Sequence, residues 1–362
     1  MDNKVTEVKL AFSAINQRLV DSIPSSEEIK GTTYVAYGKR NDYPNFIFDS
    51  YSKCPSLQTI VNGLADYVVG DGVSCSVMEK PNRNDTWDEL FNHLSADYWL
   101  YGIAYLQVVR AYNGNPTEFY WLDSMYVRSD ENGESFYYNE DFGKNYVKTQ
   151  NTIVYPKYKK DINTPSSVIA IKTPLGKGVY GSPLWGSGIK SVLTEIAIDD
   201  FHLNEIENGF FVSSVINFNN GVPSDEDKDE IERLVTKKFT GHENAGRFLL
   251  SFNNGKDNAT TVEKLTTDDF DKRYESLANK TQKQIFTAFG VSPVIFGVEK
   301  ESTGFNDEDY MQAFKLANRT RIQPVQRRLI DVFDNVFGQK GSITIKPFSI
   351  DWSEDENNEI VN

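Results

Sequence analysis

Residues 270–337 read FDKRYESLANKTQKQIFTAFGVSPVIFGVEKESTGFNDEDYMQAFKLANRTRIQPVQRRLIDVFDNVF. In the first part Phe270, Tyr274, Leu277, Ile285 and Ala288 recur at steps of three and four, which predicts a helix with one apolar stripe. It must stop near Gly290, a suitable C-cap, because Pro293 cannot continue it. A second helix restarts at Asn306, whose side chain can cap the free amides, while Asp307, Glu308 and Asp309 complement the positive end of the dipole. Continuous to Phe337, this helix spans on the order of 48 Å, with a kink expected at Pro324, where an internal hydrogen bond is lost. Two long helices thus present the polar loop VEKESTGFN at a defined place.

Outward from this pair, the segment 182–212 is also helical. Trp185, Ile189, Val192, Ile196, Asp199, Leu203, Ile206 and Phe210 follow alternating steps of four and three, a pattern shared by core helices and by helices packed against neighbouring copies. Between the two helices lies a small unit, roughly 215–265. It reads as the strand SSVINF, the turn NNGVPS, the acidic helix DEDKDEIERLVTKKF capped by Ser224, and the strand RFLLSF. Nearer the N-terminus, Leu57, Ile60, Val61, Leu64, Ala65 and Val68 form one helical face ending at Gly70, and a further helix is expected from Thr86 to Tyr101. Then the period changes to short runs, IAYLQVVRAY, EFYWLDSMYVRSD, SFYYNED, YVKTQNTIVYP and SSVIAIKT, separated by Asn-Gly and Asn-Pro turns. These predict an antiparallel sheet within an α+β fold. After Phe337, GQKGSITIKPFSIDW supplies a last strand, and SEDENNEIVN an acidic tail expected to be disordered.

The 362 residues suffice for two or three domains or one large discontinuous one. With 19 Tyr and 23 Phe, apolar burial is not limiting. A net charge of −14 argues against a sequence-specific nucleic-acid binder, which neutralises phosphates with basic surfaces. It is compatible with a conduit whose acidic wall keeps DNA from sticking, and equally with acidity that serves solubility alone. Two cysteines, Cys54 and Cys75, make no disulfide framework. No signal peptide and no membrane span of about 20 apolar residues is legible, so a soluble protein is expected. The three histidines, His93, His202 and His242, lack metal-binding spacing, and no metal or cofactor is expected.

GKGVYG, residues 176–181, matches the glycine pattern of dinucleotide-binding turns, with Asp199 and Asp200 about 20 residues on. Its context fails. The acids lie inside the heptad-patterned helix, no strand follows before about residue 213, and the preceding strands read as hairpins. A nucleotide-dependent enzyme using this loop remains the alternative from another class. No Walker A sequence and no GxSxG elbow occur.

AFGVSPVIFG, the Thr/Gly/Asn-containing loop, the acidic helix start and RTRIQPVQRRLIDVF together resemble the C-terminal half of a tailed-bacteriophage portal protein. YGSPLWGSGIKSVL and FNNGVPSDEDKDEIERLVTKKFTGHENAGRFLLSFNNG fall in that family's order, so the resemblance covers about residues 41–337. It implies no enzyme but a dodecameric ring at one capsid vertex, assembled in the host cytoplasm, through which double-stranded DNA is packaged and ejected. Residues 1–181 with the final strand would be the wing, 182–212 and 266–290 the stem helices, and 213–265 the clip. Little of the sequence follows Phe337, so the crown that the resemblance implies is expected to be minimal or absent. The loop between the helices, Glu299, Lys300, Glu301, Ser302, Thr303 and Gly304, would enter the channel and touch DNA without reading its sequence. Read from its residues alone it is a surface connection. The clip residues Asn219, Asn220, Asp225, Glu226, Asp229, Lys237, Lys238, His242 and Glu243 would dock the terminase large subunit and later the head-tail adaptor. The major capsid protein and scaffold are further implied partners. Trp185, Ile189 and Ile196 of the heptad helix, with Arg319, Arg321, Arg327 and Arg328, are candidates for the subunit interface. The arginines could instead ring the channel, but pairing with a neighbour's carboxylates avoids their mutual repulsion. Another ring-forming virion protein would carry much the same pattern.

Overall fold

The computed structural model describes residues 26–28, 33–144, 147–174, 178–207, 214–218, 224, 226–228, 230–231, 248–252, 267–298 and 307–349. The chain divides into two compact units, Met1–Leu193 with Gln282–Asn362, and Thr194–Thr281.

In the first unit a short pair, β1 (Ser26–Glu28) and β2 (Val35–Tyr37), is antiparallel. Two helices follow, α1 (Tyr43–Lys53) and α2 (Pro55–Val69), each with proline in its first turn, where a missing amide costs nothing. β3 (Gly72–Cys75) pairs with the last strand, β12 (Ile343–Lys346), so the C-terminal end returns to the N-terminal half. α3 (Trp87–Tyr101) begins with a reciprocal cap: Glu89 N–H donates to Thr86 Oγ1 at 3.2 Å and Thr86 N–H to Glu89 Oε2 at 2.7 Å. The apolar runs that follow form two three-stranded antiparallel sheets. β4 (Ile103–Arg110) lies between β5 (Pro116–Leu122) and β9 (Ser166–Lys172), and β7 (Ser135–Tyr138) between β6 (Val127–Ser129) and β8 (Ile153–Pro156). The mixed helix-and-sheet class expected from the sequence is therefore what folds.

The second unit holds most of α4 (Ile189–Glu207), the parallel pair β10 (Ser214–Phe218) and β11 (Phe248–Phe252), and the first part of α5 (Thr267–Phe289). The chain passes between units inside α4 and α5. After residue 306 come α6 (Asp307–Ala317), five residues of π-helix (Asn318–Ile322) and α7 (Gln323–Phe337). The expected long helix is present, but its ladder loosens before Pro324. Gln323 N–H reaches back to the Asn318 carbonyl. The extra residue has a packing reason: Tyr310, Ala317, Ile322, Val325, Leu329, Phe333 and Val336 are all buried, and the five-residue step from Ala317 to Ile322 keeps them on one face. Phe333 then anchors α7, stacked on Phe91 at 5.3 Å with edge contacts to Trp87 at 5.4 Å and Phe119 at 5.2 Å.

One expectation is corrected here. Trp185 precedes α4, separated from it by a 3-10 turn at Gly186–Gly188, and is 0% exposed. Its indole N–H faces the Trp99 and Leu100 carbonyls at 3.1 and 3.3 Å, and its ring stacks on Phe289 at 5.9 Å. Trp185 is a core residue of its own chain and is not available to a neighbouring copy. Ile196 is buried as well, and Ile189 is half-buried. Heptad spacing cannot tell a core stripe from a seam, because both need the same apolar face.

A buried carboxyl makes the fold sensitive to pH. Asp97 on α3 lies 2.8 Å from Trp121 Nε1, 3.0 Å from Ser124 N and 2.6 Å from Ser124 Oγ. Ser124 Oγ is also 3.0 Å from the Ile103 carbonyl. One hydroxyl proton cannot serve both acceptors, but a proton on Asp97 completes the network. Burial, and next the Asp123 carboxylate, push Asp97 up to about 8. The folded chain thus keeps a proton that the unfolded chain loses near pH 4, so stability falls as pH rises from about 4 to about 8. Asp97→Asn is expected to flatten this slope, although an amide cannot both accept from Trp121 Nε1–H and Ser124 N–H and donate to Ser124 Oγ as the one oxygen Oδ2 of the protonated acid does. Urea melts below and above that window check it; a slope unchanged by the substitution would mean that Asp97 is ionised in the fold.

Candidate functional site

Residues 299–304 lie outside the described residues, but both flanks of the loop are ordered by identifiable contacts. α5 ends at Phe289, and Gly290 takes the left-handed conformation, φ +68°. A Cβ at Gly290 would sit 2.0 Å from Arg321 Nη2, so the guanidinium packs directly on this turn. The chain then makes a 3-10 turn at Pro293–Phe296, and Gly297, φ +74°, ends it. Phe296 lies against the α2 backbone, where a Cβ on Gly63 would be 2.6 Å from its ring. On the far flank Tyr310 is buried and Phe314 is half-buried.

The four arginines do not behave as a group. Arg321 is half-buried at the α5 terminus. Arg328 donates to the Lys172 carbonyl at 2.6 Å and lies 5.9 Å from the Tyr98 ring. Arg328 is thus engaged inside the first unit, whereas Arg321 is packed against the Gly290 turn with its Nε lacking a hydrogen-bond partner among the described residues. Arg319 and Arg327 are exposed and form no ion pair among the described residues. They are the two that a partner could use.

In the second unit the proposed cap is present: Asp227 N–H donates to Ser224 Oγ at 3.3 Å. Glu226 is exposed in the helical turn that follows. Asn219, Asn220, Asp225, Asp229, Lys237, Lys238, His242 and Glu243 lie outside the described residues.

Residues 176–177 of the glycine-rich segment lie outside the described residues, and the rest of it, 178–181, has a structural explanation. β9 before it is antiparallel to β4, so this is not the parallel crossover that a dinucleotide site needs. Tyr180 stacks on Tyr37 at 3.9 Å and donates to the Val35 carbonyl. Thr173 Oγ1 donates to the Ser182 carbonyl at 2.7 Å. Asp199 and Asp200 are exposed on α4. Among the described residues no group of His, Cys, Asp and Glu could hold a metal ion, and no helix is long and apolar enough to cross a membrane.

Residues 45–349 match the phage portal protein family. The phage-like element PBSX protein XkdE of Bacillus subtilis (strain 168) is 24% identical over 277 residues, covering 64% of this chain and 54% of that protein. The chain spans less than two thirds of the length of the curated relatives it matches. Among solved structures, a chain in the virion of a native gene transfer agent particle superposes with a TM-score of 0.57 at 19% identity, over 92% of this chain and 89% of that one. A chain in the neck of a native particle of that kind, computed with C12 symmetry, gives 0.56 at 20% identity, over 88% and 86%. At these identities the likeness is one of fold.

Proposed function

The chain belongs to the phage portal protein family, and on that premise we propose that it forms a ring at one capsid vertex through which double-stranded DNA is packaged and ejected. The observation that carries this reading is the family match over 45–349. The C12 symmetry of the neck particle that holds a similarly folded chain favours twelve subunits. Residues 1–181 with β12 would be the wing, 182–212 and 266–290 the stem, and 213–265 the clip that docks the terminase large subunit and then the head-tail adaptor.

The ring does not work by catalysis. A net charge of −14 keeps phosphates from settling on its surface, and Lys300 between Glu299 and Glu301 makes any contact of the loop with DNA weak and sequence-blind. A heterologous interface closes only when the rotation between subunits closes. Arg319 and Arg327, exposed and without an ion pair among the described residues, are suited to a neighbour's carboxylates.

Deleting residues 299–304 tests the assignment. Light scattering after gel filtration, with negative-stain images, is expected to show an unchanged ring of about twelve subunits, while particles built with the deletion lose DNA. A ring that falls apart would make the loop structural. A compact dimer whose melting temperature rises with NAD or ATP would instead favour the nucleotide-dependent enzyme.

A further inference from the structure

The two flanks of residues 299–306 meet at one side chain that nothing in the local sequence marks. Tyr67, near the end of α2, donates its hydroxyl proton to the Ile295 carbonyl at 2.6 Å, and its oxygen lies 3.1 Å from Tyr310 Oη. A carbonyl only accepts, so the single Tyr67 proton goes to Ile295 and Tyr310 donates the second bond. Ile295 precedes the loop and Tyr310 follows it.

The ring of Tyr67 is held by three others: Phe296 at 6.1 Å, Phe314 at 5.3 Å and Phe348 at 5.0 Å, the last two edge-on. Phe296 comes from the entry flank, Phe314 from the exit flank. Gly63, one turn earlier on the same face of α2, leaves the space that Phe296 fills. Gln326 of α7 donates to the Val68 carbonyl at 3.0 Å, tying the long helix to the same end of α2. Burial, and next the bond from Tyr310, raise the Tyr67 phenol far above its usual range, so the clasp stays neutral.

We propose that Tyr67 is a positioning residue that clasps both ends of the 299–306 segment to α2, so that the distance between those ends is set by α2 and not by the loop itself. Its consequence for DNA rests on the reading of 299–304 as the channel loop. Force on that loop would then be passed into α2 through two hydrogen bonds as well as along the chain.

Tyr67→Phe removes both bonds and leaves the ring contacts, so the chain is expected to fold and assemble as before. Hydrogen exchange on the full-length oligomer is expected to rise roughly fivefold at residues 294–298 and 309–312. Tyr310→Phe should raise exchange at 309–312 alone, and combining the two should add nothing there. Because Tyr310→Phe spares the Ile295 bond, it still tests the exit half of the clasp if Tyr67→Phe fails to fold, and unchanged exchange at 309–312 would overturn it. Unchanged exchange at both flanks would overturn the clasp. DNA retention in particles built with Tyr67→Phe reads the other premise separately. Raised exchange with lower retention supports clasp and channel loop together; raised exchange with full retention keeps the clasp and sinks the assignment of 299–304 to DNA contact.

Discussion

Arg128→Met is expected to destabilise the chain by about 3–5 kcal/mol, although Arg128 has no carboxylate partner among the described residues. Its side chain is 0% exposed. The guanidinium donates from Nη1 to the Met125 and Val127 carbonyls at 3.0 and 2.9 Å, from Nη2 to the Asn41 carbonyl at 2.8 Å, and from Nε to Asn41 Oδ1. The ring of Phe142 lies 4.7 Å away. Carbonyl dipoles and aromatic faces thus take the place of a counter-ion. Burial lowers the Arg128 pKa from its usual value. Methionine relieves the cost of burying a charge but orphans three backbone carbonyls, each worth about 1–3 kcal/mol. It also releases Asn41, held at φ +60° with its Oδ1 accepting from Tyr37 N–H at 3.0 Å. Arg128→Lys should do little better, since an ammonium cannot reach four acceptors spread in one plane. Equilibrium unfolding in urea measures this; a neutral or stabilising Arg128→Met would mean that the desolvation cost outweighs the four bonds.

Gly181→Ala is expected to be at least as damaging, and it separates the two readings of GKGVYG. A Cβ at Gly181 would lie 2.0 Å from the Gly102 carbonyl oxygen and 2.9 Å from Ile103 Cβ. The contact is reciprocal: Gly102, φ +75°, ends α3, and a Cβ there would lie 2.2 Å from the Ser182 carbonyl carbon. Two backbones touch at this point, and Tyr37 Oη spans them, 3.4 Å from the Tyr101 carbonyl and 3.3 Å from that of Gly181. Neither chain can retreat without breaking the entry to β4, so a loss of several kcal/mol or of soluble protein is expected. If the segment served a nucleotide, the same substitution would weaken ligand binding and leave the melting temperature of the free protein nearly unchanged.

Elements whose reasons are local were legible. The helix from about Thr86, the stop at Gly290, the strands of the two sheets and the restart after residue 306 each follow from a few neighbouring residues. The π-helix was encoded too, in the five-residue step between Ala317 and Ile322, but a helix template of fixed period passes over one extra residue.

The sequence by itself determined the mixed helix-and-sheet class, the order of the longer helices and central strands, and the family, because period, caps and turns are properties of short stretches of chain; it passed over the short elements at 26–28, 35–37, 43–53 and 72–75. Only the tertiary structure decided that Trp185 belongs to the core, that Arg328 is bonded within its own chain, that Gly181 sits at a backbone crossing and that Tyr67 joins two flanks 228 and 243 residues away. A long-range contact depends on which faces meet once the chain has closed on itself, and an apolar stripe, an arginine or a tyrosine carries no local mark of its partner.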